Sequence, residues 1–347
     1  MRDIKMGRVN TAKNGVESDK MSAAPEQVAE VGLLIYADCQ MAAIHGLTDL
    51  FRIATEWSTH LGAALRGRYI RVSHWKFDTA LGTVSCVWDS HPEQDHRLTH
   101  VILPPSVVMP DRMPLTPVIA SWMKARHAEG VTVCSVCAGA FVLAQTGLLN
   151  GRTATTHWAF VDLLSSRFPE IDLVTHDMVI DDGDVITAGG ILAWTDLGLA
   201  LVSKLMGPAV MLSTARFLLS DAPRRDQLAF RTFSPRFDHG DTEIVRAQHH
   251  MHAHPAQDHS IQNLAARVHL TERTFIRRFT KATGMRPTEY IQQIRIMKAR
   301  EELELTNKTI NDIAWSIGYS DSSAFRKIFR KITGVLPNIY RDKFRPR

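Results

Sequence analysis

Ser135-Val-Cys137-Ala-Gly139 sets a cysteine among small residues where an apolar run, 131–136, gives way to a helical pattern, 138–146. A small-x-nucleophile-x-Gly sequence at a strand-to-helix junction presents its central side chain on a strained turn. The adjoining helix N-terminus is expected to lower the thiol pKa and favour thiolate. Ala154-Thr-Thr-His157-Trp follows about twenty residues on. Cysteine with histidine is the nucleophile and base of thiol catalysis. The same pair can line a ligand site, and a cysteine at such a turn can be kept for packing alone. Cys134 is a poor redox or metal partner for Cys137, because it falls inside the strand with its side chain turned away from the junction. His250 and His254 share a helix face as two metal ligands would, but no carboxylate or cysteine completes the set nearby. Asp181-Asp182-Gly183-Asp184 reads as a turn between strands.

A second chemistry lies in the last hundred residues. Phe275, Phe279, Lys281, Thr283, Gly284, Pro287 and Tyr290 return fifty residues later as Phe325, Phe329, Lys331, Thr333, Gly334, Pro337 and Tyr340. Upstream the match slips by one: Ala265, Val268 and Thr271 answer to Ala314, Ile317 and Ser320. A repeated helical unit rich in arginine predicts two tandem helix-turn-helix modules. Phe275 and Phe279, four apart, face the core, which leaves Arg273, Ile276 and Arg277 outward. In the second unit Phe325, Ile328 and Phe329 point inward, and Ser322, Ser323, Arg326 and Lys327 outward. Thr271 and Ser320 are expected N-caps, and Gly318 fits a left-handed turn. Charge agrees: residues 241–347 carry 19 Lys and Arg against 11 Asp and Glu, whereas 1–240 carry 22 against 25. Only the C-terminal part is built to meet a polyanion.

These residues need elements to hold them. Apolar patterning predicts strands at 27–36, 69–75, 84–88, 100–103 and 131–136, and a hairpin around 174–180 and 184–187. Helices are expected at 43–56, 117–128, 138–146, 160–168, 196–206 and 209–220. Strands alternating with helices imply a mostly parallel covered sheet. The expected fold is an N-terminal flavodoxin-like α/β sandwich domain followed by an all-α domain with two helix-turn-helix modules. The domain reading is a disordered leader at 1–25, an α/β domain at 26–220, a linker at 221–241 and a DNA-binding domain at 242–347, its modules at about 258–290 and 307–340. The polar leader has no secretory h-region. No apolar run is long enough to span a bilayer. Four scattered cysteines suit a reducing cytoplasm.

Residues 245–345 resemble the DNA-binding domain of the AraC/XylS transcription regulators. The resemblance rests on Gly318-Tyr-Ser-Asp-Ser-Ser-Ala-Phe-Arg-Lys-Ile-Phe-Arg-Lys-Ile-Thr-Gly334, then Pro337 and Tyr340-Arg341, with Arg295, Ala299 and Leu303 on the connecting helix. It implies two recognition helices entering successive major grooves about 34 Å apart. Arg273, Ile276, Arg277, Ser322, Ser323, Arg326 and Lys327 are then the base-edge candidates. Lys281, Arg330 and Lys331 are phosphate candidates.

Residues 28–205 resemble a PfpI-type domain of the class I glutamine-amidotransferase-like superfamily. The matching residues are Leu33-Leu-Ile-Tyr36, Cys137-Ala-Gly-Ala-Phe, Gly147-Leu-Leu-Asn-Gly-Arg-Thr-Ala-Thr-Thr-His157-Trp, and Thr187-Ala-Gly-Gly190 to Asp196. The chain departs from the family's enzymes in two places. Ala43 stands where they carry an acid near the cysteine. Pro104-Pro105-Ser106 stands where they have glycines, and proline has no N–H for an oxyanion. The two resemblances together imply a sequence-specific regulator of promoter DNA, an activator. They also imply a small metabolite bound at Cys137 and His157, a homodimer and RNA polymerase as partner, with no catalytic residue, cofactor or metal. The alternative is a cysteine-dependent hydrolase or hydratase with a DNA-binding tail, and a redox sensor acting through Cys137 is a third reading.

Overall fold

The computed structural model describes residues 26–60, 67–114, 117–221 and 226–346. The expected leader lies outside the described residues. The first half runs β1 (Glu26–Ile35), α1 (Met41–His60), β2 (Arg68–Asp78), β3 (Thr83–Asp89), β4 (His100–Leu103), α2 (Pro117–Ala128), β5 (Thr132–Val136), α3 (Gly139–Ala144), β6 (Thr153–Ala154), α4 (Val161–Arg167), β7 (Asp172–Leu173), β8 (Val179–Asp181), β9 (Val185–Ala188), α5 (Trp194–Met206) and α6 (Pro208–Phe217). The main sheet is ordered β3-β2-β1-β4-β5-β9-β8. The inner strands β2, β1, β4, β5 and β9 pair in parallel, and β3 and β8 close the edges antiparallel. Counted by themselves along the chain, the parallel strands lie 2-1-3-4-5, the flavodoxin-like order.

Period-two alternation sends neighbours to opposite faces. Val101, Leu103 and Val133 pack with α2, α3 and α4, while Ile102, Cys134 and Val136 pack with α1, α5 and α6. Burial on both faces explains why β4 is wholly apolar after His100 and fully buried. The expected hairpin is shorter than its pattern: only Val179–Asp181 pairs with β9. The residues before it join the linker instead, through Asp177 opposite Asp226 and His176 O accepting from Gln227 N.

The second half is α7 (Thr242–Ala253), α8 (Ile261–Arg267), α9 (Glu272–Thr283), α10 (Pro287–Leu305), α11 (Ile310–Ser316), α12 (Ser322–Thr333) and α13 (Pro337–Phe344). Two separate cores hold it. Phe275, Phe279 and Tyr290 centre one, and Phe325, Phe329 and Tyr340 the other. In each the second phenylalanine meets its tyrosine edge-to-face, at 5.2 Å and 5.4 Å. The repeated apolar residues are therefore the same core built twice. The 19-residue α10 joins them, a rod of about 28 Å. No helix among the described residues is long and apolar enough to cross a membrane.

Candidate nucleic-acid interface and cysteine elbow

Helices α9 and α12 are each the second helix of a helix-turn-helix pair. Thr271 caps α9, accepting from Thr274 N, and Asp321 caps α12, accepting from Ser323 N and Ala324 N. Ser320 is thus not the cap that the pattern suggested. The second turn holds one extra residue, so Thr271 answers to Asp321 at the same fifty-residue offset as the phenylalanines. Gly318 has φ of 87°, and a Cβ there would lie 2.6 Å from Ala256 O, so the position requires glycine. The first module makes its left-handed turn with His269, φ 55°. Both helices end at a left-handed glycine, Gly284 and Gly334.

Arg273, Ile276, Arg277 and Lys281 on α9 are exposed, as are Ser323, Arg326, Lys327, Arg330 and Lys331 on α12, with Ser322 half-buried. Among the described residues none of these cations forms an ion pair. The contrast is Arg278, one residue from Arg277. It donates from Nε and Nη2 to Asp241 at 2.9 Å and 2.6 Å, tying α9 to the cap of α7. Arg295 is likewise taken, donating to Pro255 O and Gln257 O and lying over the Tyr319 ring. Unpaired cations on two equivalent helix faces, beside paired ones elsewhere, suit a polyanion.

In the α/β half, Cys137 sits on the junction between β5 and α3 with φ of 54°. Its N–H donates to Ala188 O at 2.8 Å, and its carbonyl accepts from Thr156 Oγ1 at 2.8 Å. Gly139 lets the junction close on β4: a Cβ there would stand 2.7 Å from Leu103 O and 2.8 Å from Pro104 O. The elbow geometry is as expected, but the thiolate is not. Burial pushes the Cys137 thiol up to about 12, and the Ala138 backbone N–H draws it down only in part. At 2% exposure, desolvation outweighs a helix end of six residues. The neighbouring titratable groups are Tyr36 and Cys39, which burial also pushes up.

His157 lies half-buried beside this turn, where burial lowers its pKa. Its Nδ1 accepts from Ala159 N at 3.1 Å and caps a single 3-10 turn, Trp158–Phe160. A neutral ring accepting at Nδ1 carries its proton on Nε2 and has no lone pair left for a thiol. The two segments meet through Thr156 rather than through the imidazole among the described residues.

The loop after β4 is equally closed. Pro104 O accepts from Tyr36 Oη at 2.6 Å and Pro105 O from Gln40 N at 2.7 Å. Beyond the prolines, Val107 N donates to Asp38 O and Val108 N to Ser106 Oγ. Ala43 is fully buried in the first turn of α1. Sequence reasoning missed Gln40, whose buried side-chain oxygen has no partner among the described residues.

Comparison with known proteins supplies the decision. The helix-turn-helix domain family matches residues 264–343, and the DJ-1/PfpI family matches residues 81–204. The chain is 29% identical over 226 residues to the HTH-type transcriptional regulator CdhR of Pseudomonas aeruginosa, covering 65% of this chain and 67% of that one. It is 28% identical over 261 residues to the HTH-type transcriptional regulator ArgR of the same organism, 74% and 77% of the two chains. The chain joins a DJ-1/PfpI domain to an AraC-type helix-turn-helix domain, the build of a transcription regulator. A shorter likeness, 41% over 87 residues, 25% of this chain and 36% of the other, is to the isonitrile hydratase of Pseudomonas putida.

A further cluster, Cys86, Asp89 and His96, brings potential ligand atoms within 4.8 Å of one another. The space already holds a cation. Arg71, 1% exposed, donates to Asp89 at 3.1 Å and 2.5 Å, and its Nη1 stands 3.6 Å from Glu30 Oε2. Glu30 also accepts from Ser73 Oγ and Arg97 N, and pairs with His96 Nδ1 at 2.7 Å. The cluster is a buried ion network across β1, β2 and β3.

Proposed function

We propose that this transcription regulator is an activator, whose α/β domain binds a small metabolite at the elbow without turning it over. The observation that carries the DNA half is the pair of exposed, unpaired cationic faces on α9 and α12. Arg273, Ile276 and Arg277 read one half-site, and Ser322, Ser323, Arg326 and Lys327 the next. Lys281 and Lys331 hold phosphates. The first module offers two arginines for guanine edges, whereas the serines of the second are permissive. Both faces lie on one chain, so a single protomer spans two adjacent major grooves, and a homodimer doubles the contact. RNA polymerase is the partner that promoter binding implies, and the cytoplasm the place.

The non-catalytic reading of the α/β half rests on four features: a thiol held protonated, a histidine used as a cap, Ala43 in place of an acid, and an amide-poor Pro104-Pro105 loop. Our proposed ligand seat takes in Cys137, His157 and the unpartnered Gln40 oxygen. That oxygen suits an N–H donor, hence a nitrogenous metabolite.

The test is selection of duplexes from a random pool by the full chain. Two unlike half-sites about 10–10.5 bp apart on one face of the duplex are expected. No enriched sequence, or a single half-site, would overturn the tandem reading. Incubation with an isonitrile tests the enzyme alternative. Consumption that is lost in Cys137→Ser would restore it.

A further inference from the structure

Residues 226–241, between the two halves, form no helix or strand, as the turn formers there suggest, yet they are held by both halves. Gln227 is 1% exposed and lies inside the α/β domain. Its Nε2 is within donating distance of Thr155 Oγ1 at 3.1 Å, Thr156 O at 3.0 Å and Asp177 O at 3.2 Å. Its Oε1 accepts from Trp158 N at 3.0 Å, and its own N–H donates to His176 O at 2.8 Å. The slot exists because residue 189 is glycine: a Cβ there would fall 2.2 Å from Gln227 Nε2. Three walls of this slot adjoin the elbow. Thr156 donates to Cys137 O, Trp158 follows His157, and Gly189 follows Ala188, whose carbonyl holds Cys137 N.

The next residues belong to the other half. Arg300 of α10 donates to Leu228 O at 3.0 Å and to Arg231 O. Phe230 meets Phe344 of α13 edge-to-face at 5.2 Å, under Lys343 Nζ at 4.5 Å. Phe233 meets Tyr290 of the first module at 5.1 Å. A cleft of about 350 Å³, lined by Phe230, Arg231, Arg300, Glu304, Tyr340 and Phe344, stays open between linker and connector. The cleft leaves the stretch around Arg231 room to shift against α10, while Phe233 keeps it anchored on the first core.

We propose that Gln227 is the positioning residue that couples the elbow to the DNA-binding half. Anything that shifts Thr155–Trp158 changes the hold on Gln227. The carbonyls of Leu228 and Arg231 then carry that change to Arg300 and the rod joining the two recognition helices. This rests on the elbow being the effector's seat, and it deepens that reading by naming the route. Coupling between two sites is reciprocal, so the route can be tested from the far end without any effector.

The experiment is iodoacetamide labelling of the intact native chain, with modification at Cys137 followed by peptide mass spectrometry. Gln227→Ala is expected to raise the Cys137 rate by about tenfold, the factor that a lost buried hydrogen bond gives. Arg300→Ala touches nothing in the α/β domain. It is expected to raise the same rate several-fold, and the double variant to add little to Gln227→Ala. Cys134 labelling, deep in the sheet, is expected to stay unchanged and so reports that the domain is folded. If Gln227→Ala fails to fold, Gln227→Glu removes the donor at similar volume and is read the same way. A Cys137 rate that rises in Gln227→Ala but not in Arg300→Ala makes Gln227 a local plug and overturns the coupling, as does no change in either. The readout uses neither DNA nor metabolite, so failure of the base-reading or effector assignments leaves it standing, and the reverse holds.

Discussion

Arg277 and Arg278 are adjacent, have the same side chain, and are put by the structure to opposite uses, which makes them a test with its own control. Arg277 is exposed and unpaired among the described residues, so Arg277→Ala removes nothing from the folded chain. Phe275 and Phe279 stay buried and the Thr271 cap stays made. A bidentate arginine–guanine contact carries about 1–3 kcal/mol of discrimination, about 5- to 150-fold in Kd. The melting temperature should not move, and the loss should fall on one base pair of the preferred duplex. Arg278→Ala cuts both hydrogen bonds to Asp241, the cap of α7. It should lower the melting temperature and leave base preference as it was. Lys281→Ala should weaken all duplexes alike and reduce the slope of log K against log salt by about 0.9. The assay is fluorescence anisotropy on the selected duplex, on single-base variants and on a scrambled duplex at several salt concentrations, beside thermal melts. Equal losses on preferred and scrambled duplexes for Arg277→Ala, or altered base preference for Arg278→Ala, would refute the reasoning.

Arg71→Met leaves Glu30 and Asp89 buried without their cation. It should cost about 3–5 kcal/mol by urea denaturation, with Glu30→Gln added on top recovering part of the loss. His74 and His100 are held neutral, burial lowering each from 6.5 to about 4, with His45 adding to the effect at His74. The unfolded chain binds their protons first, so stability is complete above pH 6.5 and falls as pH drops toward 4. Each site contributes about 3 kcal/mol to that fall; melts across this window should show the drop, and His100→Asn should flatten it. Gly139→Ala drives a Cβ against two backbone carbonyls and should cost about 1–3 kcal/mol; an unchanged melting temperature would mean that the Pro104 loop yields.

What could be read in advance depended on whether the physics was local. The parallel sheet was legible because strands covered on both faces read as unbroken apolar runs, as at 100–103 and 131–136. The helix-turn-helix pair was legible because one core is built twice, and seven identities at a fixed offset record it. The slip in the second turn was misread, since Ser320 is as good a cap as Asp321 until the phenylalanine register is imposed. The Cys137 turn was found from its small neighbours, but its protonation was not. A helix end is visible in sequence, whereas 2% exposure is set by β4, β9 and Thr156 from three other places in the chain. Arg71, Gln40 and Gln227 left no local signal for the same reason: their partners are 18 to 72 residues away.

A non-glycine residue at positive φ costs on the order of 1–3 kcal/mol and persists only where its surroundings over-determine it. At Cys137 the determining bonds are the one its N–H gives to Ala188 O and the one its carbonyl accepts from Thr156 Oγ1. An enzyme would keep such a turn to expose a thiolate, but here the thiol is neutral and covered. Yet the two residues that hold the turn are the neighbours of Gly189 and Thr155, which form the slot for Gln227. Strain at the elbow and the seat of the linker are thus governed by one set of hydrogen bonds. A metabolite that pulls Thr156 toward itself relaxes the first and disturbs the second in one movement. On the proposed reading, that is a physical reason for a regulator to keep such a turn as a ligand seat.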